Sequence, residues 1–190
     1  MIEVDTISGR VLGVRWVPSP NCDERPAGCD IDLVVVHGIS LPAGEFGGGF
    51  IDALFCNCLD PAHHPDFTEI APLRVSAHVL IRRDGEPVQY VSLRQRAWHA
   101  GASWFEGRAA CNDFSIGIEL EGTDTEPYTD AQYAALSELL QAIMRAYPAI
   151  TPQRITGHSD IAPGRKTDPG PAFDWPRLRA ALTGPIKTAH

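Results

Sequence analysis

Two histidines and an aspartate, His37, His158 and Asp168, are of the types that hold a catalytic zinc ion. Such a site takes three imidazole or carboxylate ligands and leaves a fourth position open for water. His37 closes a Val-rich run, His158 follows the short β-rich stretch Arg154 to Thr156, and Asp168 lies ten residues further on. Pro163 and Gly164 allow the intervening loop to fold back, so that both of its ends reach one ion. Spacing alone does not decide the matter. A histidine at a strand end is commonly a hydrogen-bonded structural residue, Asp160 competes with Asp168 as third ligand, and an aspartate before Pro169 could simply form a turn.

Glu119 is a candidate general acid and base, because it projects from an otherwise apolar strand; Glu121 shares its face two residues on, and the pattern does not separate them. Lys166 could place positive charge on an oxyanion formed at an amide carbonyl, or stand solvated in its loop. Trp98-His99-Ala100-Gly101 joins an aromatic side chain to a backbone hinge and could wall a sugar site, while Arg74 and Arg108 could pair with substrate carboxylates. Cys56-Asn57-Cys58 has the wrong spacing for zinc and is predicted to pack on a helix face.

These residues need a frame. Ile31 to Val36 is predicted as a buried strand, and its non-alternating apolar run implies cover on both faces. Ala77 to Ile81 and Val88 to Ser92 are predicted to pair as a hairpin through Asp84-Gly85. In Phe114 to Glu121, Ile116, Ile118 and Leu120 alternate with Gly117, Glu119 and Glu121, which sends the carboxylates away from the apolar face. Phe50, Leu54, Phe55 and Leu59 mark a short helix. A longer one is predicted from about Asp130 to Tyr147, with Thr129 and Gln132 as capping box and Pro148 as stop. A last helix begins near Asp174, with Pro176 in its first turn. The expectation is an α/β fold of one domain, residues 1–190: a mixed sheet flanked by helices, a core over about 11–182 and a tail over 183–190. The glycines between Gly44 and Gly49 suggest a loop able to move over the groove.

With 16 Lys plus Arg against 24 Asp plus Glu, the net charge is −8, and no basic stretch offers nucleic acid a surface. No run approaches the roughly 20 apolar residues that span a bilayer, and none at the N-terminus has signal-peptide character. Five cysteines in no paired pattern fit a reducing cytoplasm. The partner expected is a small molecule, with no nucleic acid and no membrane, bound by a monomer.

Several blocks together carry a resemblance. Val36-His37-Gly38-Ile39-Ser40-Leu41-Pro42, Arg74-Val75-Ser76-Ala77-His78, Ala97-Trp98-His99-Ala100-Gly101, the stretch from Cys111 to Asp124 and the stretch from Gly157 to Pro171 resemble the AmpD family, cytoplasmic 1,6-anhydro-N-acetylmuramoyl-L-alanine amidases of bacterial wall recycling. The likeness runs from about Val11 to Leu182. It implies zinc held by His37, His158 and Asp168, proton transfer by Glu119, oxyanion stabilisation by Lys166, and a muropeptide groove that includes Arg74, Trp98, His99, Ala100 and Arg108. The implied fold is shared with phage amidase lysozymes and peptidoglycan recognition proteins. Two positions depart: Gly38 stands where the family usually has Asn, and Ala110 where some members have Arg. A module that binds peptidoglycan without cutting it, and an exported amidase acting on intact murein, are the rival readings.

Overall fold

A computed structural model describes residues 2–183; residues 184–190, most of the expected tail, lie outside the described residues. The main sheet has six strands: β1 (Arg15–Trp16), β2 (Leu33–Ile39), β3 (Val79–Ile81), β4 (Pro87–Gln89), β5 (Ser115–Glu121) and β6 (Ile155–Gly157), in the order β6-β2-β5-β3-β4-β1. The first four in that order run parallel. β4 turns back antiparallel through the predicted hairpin, and β1 runs parallel to β4. Gly85 supplies the left-handed residue of that turn at φ 89, and Asp84 accepts from the Glu86 N–H. The expected mixed sheet is therefore present, and its mixing comes from one hairpin at the edge.

Helices cover both faces, as the apolar run at β2 implied. They are α1 (Phe50–Phe55), α2 (Phe67–Ile70), α3 (Asp130–Ala146), α4 (His158–Ile161) and α5 (Trp175–Thr183). Val34, Val36, Ile116, Ile118 and Leu120 pack against Leu136, Leu139, Leu140 and Ile143 of α3 and Leu178 of α5. Each such side chain contributes roughly 1.5–3 kcal/mol when fully buried. α3 starts where predicted: the Thr129 hydroxyl accepts from the Gln132 N–H at 3.1 Å and the Gln132 side chain accepts from the Thr129 N–H at 3.0 Å. On the opposite face, Leu80 and Val88 pack under α1 and α2, while Leu33 and Val35 pack with Ala100, Phe114 and Ile161.

α1 is shorter than its apolar spacing predicts. The Phe55 carbonyl is taken by the Ser19 hydroxyl at 2.6 Å and the Asn21 amide at 3.1 Å, and Asn57 then enters the left-handed region at φ 60. With that carbonyl drawn out of the helix ladder, the helix stops. Cys56 and Cys58 consequently lie beyond α1, Cys58 exposed, so the predicted helix-face packing is corrected.

Candidate metal centre and active site

Parallel register assembles the site. Glu119 is the register partner of His37, and Gly157 of Val36, so His158 follows β6 as His37 follows Val36 on β2. Side chains that leave neighbouring parallel strands at their carboxyl ends share one crevice. His158 is the first residue of α4, and the loop after that helix returns to place the Ser159 N–H on the Asp168 carbonyl at 2.9 Å. Three atoms converge as a result: His37 Nδ1 lies 3.0 Å from His158 Nδ1 and 3.2 Å from Asp168 Oδ2, and the last two are 3.1 Å apart. A tetrahedral ion with bonds of about 2.0–2.1 Å needs ligand atoms roughly 3.3 Å apart. The triangle is nearly one face of that tetrahedron. Two neutral imidazoles and one carboxylate leave a single negative charge for a divalent cation.

The electrostatics agree. Burial pushes His37 down to about 4, an effect that the contact with Asp168 only partly offsets, so its imidazole is neutral at pH 7. Burial alone would raise Asp168, but the contacts from His158 and His37 outweigh it and hold the carboxyl well below the usual carboxylate range. His158 is fixed from behind, where its Nε2 meets the Ala100 carbonyl at 3.3 Å and must carry the hydrogen, leaving Nδ1 as a free ligand. Asp160, the rival third ligand, accepts instead from Thr156 Oγ1 and the Gly157 N–H, both at 2.9 Å, and caps α4.

Glu119 opens on the same cavity, of about 210 Å³, as do His37, His158, Asp168 and Lys166. Its Oε2 is closed off from solvent and has no hydrogen-bond partner among the described residues. Burial first, and the charge of Asp168 second, push its carboxyl well above the usual carboxylate range, with Lys166 opposing. Glu121 is otherwise employed, accepting from the backbone N–H groups of Gly47 and Arg83.

The chain has known relatives. The sequence profile of the N-acetylmuramoyl-L-alanine amidase family matches residues 27–171. The 1,6-anhydro-N-acetylmuramyl-L-alanine amidase AmpD of Enterobacter cloacae is 62% identical over 176 residues, 93% of this chain and 94% of that protein. The chain belongs to the AmpD family of N-acetylmuramoyl-L-alanine amidases. A crystal structure of a selenomethionine AmpD derivative superposes on the amidase with a TM-score of 0.91 at 60% identity, covering 95% of this chain and 99% of that one. A complex of the Escherichia coli amidase AmiD with anhydro-N-acetylmuramic acid-L-Ala-D-γ-Glu-L-Lys aligns with a TM-score of 0.60 at 27% identity, over 85% of this chain and 65% of that one.

The remaining expected residues of the amidase divide. Trp98 lines the cavity with an apolar wall of Phe55, Leu73 and Val75. Arg74 turns onto its own loop and donates to the carbonyls of Ala71, Pro72 and Leu73. Arg108 pairs with Asp32 at 2.6 Å and stacks on Phe114, outside the cavity lining. His99 lines the cavity but also touches His37, and Ala100 stands behind His158. Gly38 also lines the cavity, and a Cβ there would lie 2.3 Å from the Tyr128 hydroxyl, so the bare backbone makes room for that hydroxyl. The Gly-rich loop contributes nothing to the lining; Glu121 holds Gly47, and Arg82 donates to the Gly48 carbonyl at 3.0 Å.

Sequence reasoning missed Ser115, Asn112 and Arg165. Asn112 Oδ1 accepts from the N–H groups of His99 and Ala100, and Arg165 donates to the carbonyls of Ala100 and Ala102. Ser115 had a signal, since it precedes Gly117 and Glu119 in the same two-residue alternation.

Proposed function

We propose that this amidase binds one zinc ion through His37 Nδ1, His158 Nδ1 and Asp168 Oδ2, and hydrolyses the amide between the lactyl group of 1,6-anhydro-N-acetylmuramic acid and L-alanine in muropeptides. The observation that carries the reading is the ligand triangle set beside a carboxylate oxygen that has no other partner. Zinc, when bound there, supplies a Lewis acid that acidifies water and polarises the scissile carbonyl. Glu119, on the same cavity, takes the proton from the attacking water and returns it to the alanine nitrogen. Lys166 faces the cavity and directs positive charge at the oxygen on which negative charge grows. The wall of Trp98, Leu73 and Val75 offers an apolar surface to a sugar ring and to the methyl groups flanking the amide.

The substrate class is supported by the family relatives named 1,6-anhydro-N-acetylmuramyl-L-alanine amidase and by the anhydromuramoyl peptide bound to AmiD. The reading sets the enzyme in the cytoplasm, acting as a monomer on recycled wall fragments; no helix among the described residues is long and apolar enough to cross a membrane. Mass spectrometry of products from a defined anhydro-muropeptide tests it. Free peptide beginning with L-alanine is expected, abolished by a chelator and restored by zinc. Affinity without product would reduce the chain to a binding module, and a preference for intact sacculi would overturn the recycling assignment.

A further inference from the structure

A metal-binding histidine must present a lone pair, and which of its nitrogens does so is decided by the bond the other one makes. For His158 that bond goes to a carbonyl. For His37 it goes to another imidazole: His37 Nε2 lies 3.0 Å from His99 Nδ1. Either ring could donate in such a pair, so the direction must be set further back. Ser115 Oγ lies 2.6 Å from the Cys111 carbonyl, which can only accept, so the serine proton points there. The same Oγ lies 3.1 Å from His99 Nε2 and has only lone pairs to offer it. His99 therefore carries its hydrogen on Nε2 and presents a lone pair at Nδ1. That lone pair takes the Nε2 hydrogen of His37 and leaves His37 Nδ1 bare toward the triangle.

We propose that His99 is a positioning residue for the metal ligand His37, locked in one tautomer by Ser115, rather than a residue whose main task is to grip substrate. The surroundings are shaped for that ring. A Cβ on Gly117 would lie 2.4 Å from His99 Cγ, so β5 leaves a bare backbone position where the imidazole sits. Asn112 Oδ1 accepts from the N–H groups of His99 at 3.2 Å and Ala100 at 2.8 Å. Two adjacent residues thus orient both metal histidines, one by its ring and the other by its carbonyl.

The proposal rests on the zinc reading of His37, His158 and Asp168, and the test separates the two. Zinc affinity is measured by competition with a chromophoric chelator, and the His37 tautomer by long-range ¹⁵N–¹H correlation of the zinc-loaded protein. His99→Phe keeps a ring but offers no acceptor; affinity is expected to fall about 10–100-fold, the usual cost of losing an outer-shell partner. His99→Asn, whose Oδ1 falls near the lost Nδ1, is expected to recover most of it. Ser115→Ala guards against a His99→Phe that does not fold: His99 should then populate both tautomers and affinity drop a few-fold. Equal zinc affinity in His99→Phe and His99→Asn, or an unchanged His99 tautomer and affinity in Ser115→Ala, would overturn the lock while the zinc reading stands. A parent protein that binds no zinc would remove both.

Discussion

Strands β2 and β5 carry opposite chemistry on their two faces. Toward α3 they present Val34, Val36, Ile116, Ile118 and Leu120, all fully buried and all apolar. Away from it, the same strands present His37, Ser115 and Glu119, alongside Leu33, Val35 and the bare backbone of Gly117. On the first face any one side chain is one of many that bury area, and neighbours of similar size could replace it. On the second, each polar side chain makes a particular contact that nothing else nearby supplies. The first face fixes where the strands lie, and the second uses that placement for chemistry. Failure on one face should therefore appear as lost stability, and on the other as lost reaction.

The largest effect expected is from the ligands. His158→Ala or Asp168→Ala opens the triangle, and bound zinc, measured by mass spectrometry of metals, should fall to a small fraction per chain with amidase activity at background. The fold should persist, because the apolar face is untouched; loss of the native circular dichroism spectrum would break the comparison. Next comes Glu119→Ala. Removing a proton-transfer group costs typically 10²–10⁴-fold in turnover, while zinc content should remain near one per chain. Near-normal turnover would remove Glu119 from the mechanism.

A substitution on the other face sharpens the contrast. Leu140 is fully buried against the sheet, and Leu140→Ala should cost about 2–5 kcal/mol of stability by denaturant unfolding. Below the unfolding transition, kcat/KM should stay within about twofold of the parent. A loss of turnover without a loss of stability would mean that the two faces are coupled.

The apolar face was legible in the sequence because its signal is local. Ile116, Ile118 and Leu120 announce a strand by alternation, and the Thr129 and Gln132 capping box announces the start of α3 three residues apart. The chemical face was legible only in part, because its contacts join distant segments. His37 and His158 stand 121 residues apart, and their meeting depends on the parallel pairing of β2 and β6, which no short pattern encodes. Glu119 and Glu121 are indistinguishable by period; they differ because the N–H groups of Gly47 and Arg83 reach only Glu121. Arg108 could pair with a substrate carboxylate by its charge, and the resemblance sets it in the groove, yet its carboxylate partner is Asp32, brought from 76 residues away. The resemblance to a family, rather than the spacing, was what chose the ligand set in advance.

The smallest effect expected is also the one with the most specific sign. The role proposed for Glu119 comes at a cost to the metal-free fold, since one of its carboxylate oxygens is sealed from water without a partner among the described residues. Its proton affinity is raised in the folded chain, chiefly by burial. Between the ordinary carboxylate value of about 4.3 and that raised value the folded state holds more protons than the unfolded state, so stability falls as pH rises through this window. Glu119→Gln does not titrate there. In the presence of chelator it should match the parent near pH 4 and exceed it at pH 7 by about 1–2 kcal/mol, since the side chain is partly open to the cavity, or roughly 2–8 °C in Tm. Zinc should shrink the difference, because a divalent charge beside the carboxylate favours its ionised form. A pH-independent difference between Glu119→Gln and parent, measured by calorimetry without metal, would show that packing rather than a strained charge separates them.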